Sequence, residues 1–257
     1  MNQADTKQTV HSVRSIRPSA QNAIVLVCEH ASAFMPPEFD NLGLSGDVLT
    51  SHIAWDPGAL GVAETLSELL DAELVAAGTS RLIYDCNRPP DAPAAMPARS
   101  EIYDIPGNVG LTAAQRQART EAFYEPFRSA VAAALDAREN AILVTIHSFT
   151  SIYHGAPRDV EIGILHDRDS RLADAILQAA ANHADHVVRR NDPYGPDDGV
   201  THTLLEHGVS KGRLNVMIEV RNDLIQTENA QRKMAKLLAG WIEQAVSQVA
   251  SGQEAAT

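Results

Sequence analysis

The stretch Ala141-Ile142-Leu143-Val144-Thr145-Ile146-His147-Ser148-Phe149 decides the fold. From 141 to 146 it is apolar apart from Thr145, and polar residues follow at 147 and 148. A short apolar run without alternation reads as a strand buried on both faces, the kind found in sheets that helices cover on each side. Two further runs behave alike. Ile24-Val25-Leu26-Val27-Cys28 leads into Glu29-His30, and Leu214-Asn215-Val216-Met217-Ile218 leads into Glu219. Between and after them the apolar period changes. Leu60, Ala63, Leu66, Leu69 and Leu70 recur at helical spacing and predict a helix from about Pro57 to Leu70, with Pro57 at its first position. Thr112 is suited to cap a second helix running to about Arg138, which Pro126 should kink or break. Further helices are expected near 170–183, 201–207 and 226–249, and further strands near 73–77, 81–85, 160–165 and 186–190. Strands alternating with helices give an α/β class: a three-layer fold with a mostly parallel or mixed central sheet flanked by helices.

The chain has 257 residues, 44% of them hydrophobic, enough for one sizeable core. A single domain is expected over 21–250, with a loose polar arm at 1–20 and a frayed tail at 251–257. Two long loops interrupt it, Asn87 to Gly110 and Asn191 to Gly199. Long loops inside compact domains are usually functional or disordered. The net charge of −12 and pI near 5.2 argue against non-specific binding to nucleic acid or to anionic membrane. They leave room for a small anionic substrate in a local basic pocket. No apolar stretch approaches the ~20 residues that span a bilayer, and the N-terminus lacks the apolar core of a secretory signal. Two cysteines, Cys28 and Cys86, suit a reducing cytoplasm. Nothing in the pattern specifies an oligomeric state.

His30, Asp56, His147 and Glu219 stand at the ends of buried runs or at the entry to a helix. Ligands of open α/β sheets bind at the carboxyl ends of strands. Two imidazoles and two carboxylates converging there suit a zinc ion with three protein ligands, an open position, and a carboxylate base. Each residue also has a plainer reading. His30 suits a hydrogen-bonded strand end, and Asp56 suits a helix N-cap. Glu219 suits an internal ion pair with Arg221 or another Arg. His52 and Glu29 compete with Asp56 for the ligand role. Glu219 is the sharpest oddity, since a carboxylate among Val216, Met217, Ile218 and Val220 is costly unless paired or coordinated. In Asp85-Cys86-Asn87-Arg88-Pro89, Arg88 offers the planar donor fork that matches a carboxylate, and Asn87 adds an amide. Arg81 and His202 are further substrate-binding candidates. No zinc-protease helix motif, nucleophile elbow, Walker loop or dinucleotide fingerprint occurs.

Cys28-Glu29-His30-Ala31-Ser32, Arg81 to Pro89, Thr145 to Phe149 and Ile218 to Asp223, in this order and spacing, resemble the N-formylglutamate amidohydrolase family over roughly residues 22 to 245. The resemblance implies a zinc-exopeptidase-like fold, with His30, Asp56 and His147 as zinc ligands and Glu219 as catalytic base. It also implies that Asn87 and Arg88 clamp a substrate carboxylate. Carboxypeptidase-like relatives carry a ligand Glu three residues after the first His, where this chain has Ala33. The implied reaction is cleavage of an N-formyl or N-acyl amino acid such as N-formyl-L-glutamate, with zinc or another divalent metal. Two alternatives stay open: a related zinc amidase or peptidase acting on another acylated amine, and a non-catalytic small-molecule binder of the same fold.

Overall fold

Strand residues alternate between two faces, and in this protein both faces are apolar. A computed structural model describes residues 12–181 and 185–254. In β2 (Ile24–Cys28), Ile24, Leu26 and Cys28 enter one buried cluster while Val25 and Val27 enter a second. In β4 (Ile142–Phe149), Ile142, Val144 and Ile146 join the first cluster and Leu143 the second. In β7 (Asn215–Arg221), Val216, Ile218 and Val220 face one way and Met217 the other. Helices α1 (Ala59–Leu69), α4 (Arg171–Ala180) and α5 (Glu228–Glu254) cover the first face. Helix α3 (Glu125–Asp136) and the loop residues Leu82, Ile83, Tyr84 and Met96 cover the second. That makes the three expected layers.

The sheet has seven strands. Its remaining members are β1 (Val13–Ile16), β3 (Glu73–Ala77), β5 (Ile162–Leu165) and β6 (Val188–Arg190), and the order is β1-β3-β2-β4-β7-β5-β6. It is mixed. β3, β2, β4 and β7 are mutually parallel, whereas β1 runs antiparallel to β3 and β5 antiparallel to β7. From β2 the chain leads outward to β3 and then returns to β4 on the other side. The switch point therefore lies between β2 and β4, where a crevice is expected.

Several expectations are corrected. The arm expected at 1–20 contributes β1 from Val13; residues 1–11 lie outside the described part. No strand forms at 81–85. There the chain turns, with the Ile83 N–H donating to the Ser80 carbonyl, and its apolar side chains plug the second core as a loop would. An apolar run says that a segment is buried, not that it pairs. β4 runs through Phe149, so His147 sits inside the strand instead of leaving it. The helix capped by Thr112 begins as α2 (Ala113–Arg119), where Thr112 and Gln115 form a capping box. It widens into a π-turn over Thr120–Tyr124 before α3. The wide turn directly precedes Pro126, which has no N–H and crowds the carbonyl four residues back, so the helix swells instead of breaking. The helix expected at 201–207 is a π-turn over Leu204–Gly208. The helix expected to reach His183 ends at Ala180, and its last expected residues, 182 and 183, lie outside the described part. α5 continues to Glu254, into the expected tail, whose residues 255–257 also lie outside it.

Candidate metal centre and active site

By strand alternation His147 and Glu219 point to the second face, opposite Ile146 and Ile218. The parallel register pairs them directly across β4 and β7, so their side chains stand next to each other. His30 follows β2, the other neighbour of β4. Asp56 arrives from the segment before α1, and its N–H donates to the His30 carbonyl at 2.9 Å.

Asp56 is not the helix cap. The cap position of α1 belongs to Gly58, in a left-handed conformation (φ 84°) and with no side-chain cap bond. A Cβ there would strike the Ile225 carbonyl, so this turn needs glycine on both counts. Asp56 is thereby released to face the site. Its Oδ2 accepts from the Ser148 N–H at 3.2 Å and lies 2.9 Å from His147 Nδ1 and 3.3 Å from His30 Nδ1. The two Nδ1 atoms are 3.2 Å apart. All three residues are buried, and together they form a group able to hold a metal ion.

The donor set fits a cation. His30 turns its other nitrogen, Nε2, to Asp85 Oδ1 at 2.7 Å, and His147 Nε2 lies 3.0 Å from Glu29 Oε2. A carboxylate only accepts, so the hydrogen-bonded Nε2 of His30 carries a proton, while His147 Nε2 stands in contact with Glu29 without a hydrogen bond between them. Two ring nitrogens and a carboxylate oxygen face one point, a set of ligand atoms that a metal ion would satisfy. Tetrahedral coordination with ligand bonds near 2.0 Å would separate donors by about 3.3 Å, close to the observed spacings. Burial alone would raise the Asp56 carboxyl, but the His30 and His147 rings outweigh it and hold it far below the carboxylate range. Burial likewise works to lower the His147 ring, and Glu29 and Asp56 reverse this, raising it well above its ordinary value.

Asp85 and Glu29 are the residues that sequence reasoning missed as orienting groups. The clue for Glu29 was its place in the 25, 27, 29 alternation; Asp85 had no such signal, because the strand expected there does not form. Asp85 is itself held by Arg81, whose Nη2 donates to Oδ2 at 2.7 Å while Nη1 reaches Asp56 Oδ1 at 3.4 Å. Outer partners of this kind set the tautomer and orientation of ligating histidines. Replacing Asp85 with Asn is expected to weaken metal binding by about 10- to 100-fold, measured by competition with a chromophoric chelator. An unchanged affinity would remove Asp85 from this role.

Glu219 is buried, its Oε2 has no hydrogen-bond partner among the described residues, and it lines a cavity of about 330 Å³ with His30, Asp56 and His147. Burial, followed by repulsion from Asp56, pushes its carboxyl up to about 7. The ion pair with Arg221 does not form. That guanidinium goes to Asp223, to Glu161 and to the carbonyls of residues 158–160. A buried carboxylate without a cation of its own, beside a metal-holding group, has the character of a proton acceptor.

The remaining candidates divide. Arg81 and Arg88 line the cavity. Among the described residues, Arg88 has only the carbonyls of Asn87 and Gly199 as hydrogen-bond partners, so its charge is not neutralised by an acid. Asn87 also borders the cavity, and its amide is partly engaged: Nδ2 donates to the Val200 carbonyl and Oδ1 accepts from the Thr203 N–H. It ties down the 200–203 segment. His202 is not brought to the cavity wall; its Nε2 lies 2.7 Å from the Tyr124 hydroxyl. His52, at the mouth, pairs with Glu101 at 2.7 Å.

This arrangement can be set beside known proteins. A solved structure of a gene product from Agrobacterium tumefaciens matches with a TM-score of 0.90 and 55% identity, covering 93% of this chain and 96% of that one. The N-formylglutamate amidohydrolase of Ralstonia eutropha JMP134 matches with a TM-score of 0.62 and 19% identity, over 95% of this chain and 100% of that one, a likeness of fold. A comparison with curated proteins gave no match. The family description that matches the sequence, N-formylglutamate amidohydrolase, spans residues 22–226. That span runs from β2 to the end of β7 and so takes in each of the elements that deliver His30, Asp56, His147 and Glu219. The chain belongs to the N-formylglutamate amidohydrolase family.

Proposed function

We propose that the protein is a zinc-dependent amidohydrolase that cleaves an N-formyl or short N-acyl amino acid, with N-formyl-L-glutamate as the first candidate. The observation that carries this reading is the juxtaposition of a three-donor metal group with the unpaired, buried Glu219 in one cavity. His30, Asp56 and His147 would hold the ion. When bound, it would supply the positive charge that acidifies a water and polarises a carbonyl. Glu219 takes a proton from the attacking water and returns it to the leaving nitrogen as the C–N bond breaks. Water and amide become a carboxylic acid and a free amine. The cavity volume suits a small acylated amino acid, and two buried free cysteines agree with a reducing cytoplasm.

Arg88 is the residue best placed to receive the substrate carboxylate, because its donors face backbone carbonyls instead of an acid. Arg88→Met is expected to raise KM about 10- to 100-fold, the worth of a charged hydrogen bond, with a smaller effect on kcat. A KM unchanged within twofold would reassign the carboxylate site. The reading as a whole is tested by metal analysis of the purified protein together with formate release from N-formyl-L-glutamate. Bound zinc with turnover supports it. Bound zinc without turnover on this or other N-acyl amino acids would redirect it to another acylated amine, and neither metal nor turnover after zinc addition would end it.

A further inference from the structure

Tyr194 lines the same cavity and Arg158 packs against it, neither with a role in the scheme above. The Arg158 guanidinium lies over three aromatic rings, 4.3 Å from the centroid of Tyr153, 4.8 Å from Tyr194 and 5.5 Å from Phe149. It makes no ion pair with a carboxylate among the described residues. Instead its Nη1 donates to the Tyr194 hydroxyl at 3.0 Å and to the Thr150 carbonyl at 3.4 Å. Tyr194, Tyr153, Phe149 and Thr150 all line the cavity that holds His30 and Glu219.

Accepting from Arg158 leaves the hydroxyl with its own proton to give, and no acceptor for that proton occurs among the described residues. The neighbouring guanidinium polarises the hydroxyl and makes it a better donor. Burial, with the Glu219 charge next, raises its pKa, so it keeps the proton at neutral pH.

The backbone explains why Tyr194 is there. Gly163 of β5 is the antiparallel partner of Glu219. A Cβ on Gly163 would collide with the Asp192 carbonyl oxygen, so the missing side chain lets the 191–194 segment lie on the strand beside the proposed base. Asn191 pins that segment twice: its N–H donates to the Ile164 carbonyl at 3.1 Å, and its Oδ1 accepts from the His166 N–H at 2.9 Å.

We propose that Tyr194, positioned by Arg158, donates a hydrogen bond to the carbonyl oxygen of the scissile amide as negative charge builds on it. Tyr194 is then a catalytic residue and Arg158 a positioning residue. This rests on the amidohydrolase reading and adds to it a second stabiliser of the developing oxyanion. Such preorganised donors matter most in the transition state, so their loss appears in kcat.

The test is steady-state hydrolysis of N-formyl-L-glutamate by wild type, Tyr194→Phe, Arg158→Met, Arg158→Lys and the double variant Tyr194→Phe/Arg158→Met, with metal content and melting temperature measured on each. Tyr194→Phe is expected to lower kcat about 100-fold, with KM within twofold and both metal and melting temperature unchanged. Arg158→Met should cost less, Arg158→Lys should recover part of that loss, and the double variant should be no worse than Tyr194→Phe, because the guanidinium acts through the hydroxyl. An unchanged kcat in Tyr194→Phe, a rise in KM alone, or multiplying losses in the double variant would overturn the proposal while leaving the hydrolase reading intact. Absence of wild-type turnover would remove the hydrolase reading and the proposal with it.

Discussion

His147→Ala is expected to empty the metal site and abolish turnover. The ring supplies one of three donors and separates Asp56 from Glu29, with its Nδ1 2.9 Å from the first and its Nε2 3.0 Å from the second. Removing even an outer partner of a ligating histidine costs about 10- to 100-fold in metal affinity, so loss of a ligand should exceed about 100-fold. Deleting the ring also leaves buried carboxylates facing a cavity, which could unfold the protein and mimic metal loss. Asp56→Asn provides the control, since it keeps the volume and removes the charged donor. Metal content by atomic emission, formate release and circular dichroism together decide the matter. Folded variants that retain stoichiometric metal would show that these residues are not its ligands.

Glu219→Gln is expected to separate metal binding from chemistry. The side chain keeps its shape, the three-donor group is untouched, and metal should stay bound. Loss of a general base typically costs about 100- to 10,000-fold in rate, so kcat should fall by about three orders of magnitude with little change in KM. Full turnover in this variant would exclude Glu219 as the base.

The same variant has a pH signature in the metal-free protein. The Glu219 carboxyl, ordinarily near 4.5, is raised to about 7 in the fold, burial being the chief cause. Between these values the folded protein holds a proton that the unfolded chain has released. Stability attributable to this group is therefore lost as pH rises from about 4.5 toward 7. The amide of the Glu219→Gln variant has no proton to lose, so the variant's advantage over wild type should grow across that window, by on the order of 2 kcal/mol. Melting in excess chelator at pH 5 and pH 8 measures this. A difference that shrinks with rising pH would reverse the sign assigned to Glu219.

What could be read from the residues in order was whatever depends on neighbours along the chain. Ile24 to Cys28, Ala141 to Ile146 and Leu214 to Ile218 announce buried strands because both faces of each run are apolar, and the helical spacing after Pro57 announces its helix. These two periods together imply a covered α/β sheet. His30, His147 and Glu219 stood out for the same reason, as ionisable residues at the borders of, or inside, apolar runs, where burial is costly without a partner. Tertiary structure alone decided which atoms meet. Asp56 and His147 lie 91 residues apart, and His30 and Asp85 lie 55 apart. Whether Asp56 capped a helix or faced the site was settled by the left-handed turn at Gly58, a matter of how the chain passes Ile225. The Asn87 amide is tied to residues 200 and 203, while His202 is turned toward Tyr124. The segment at 81–85 read as a strand because burial and strand pairing leave the same apolar signature in sequence. A loop side chain takes its direction from hydrogen-bond partners and packing supplied by distant segments, and no local period encodes them.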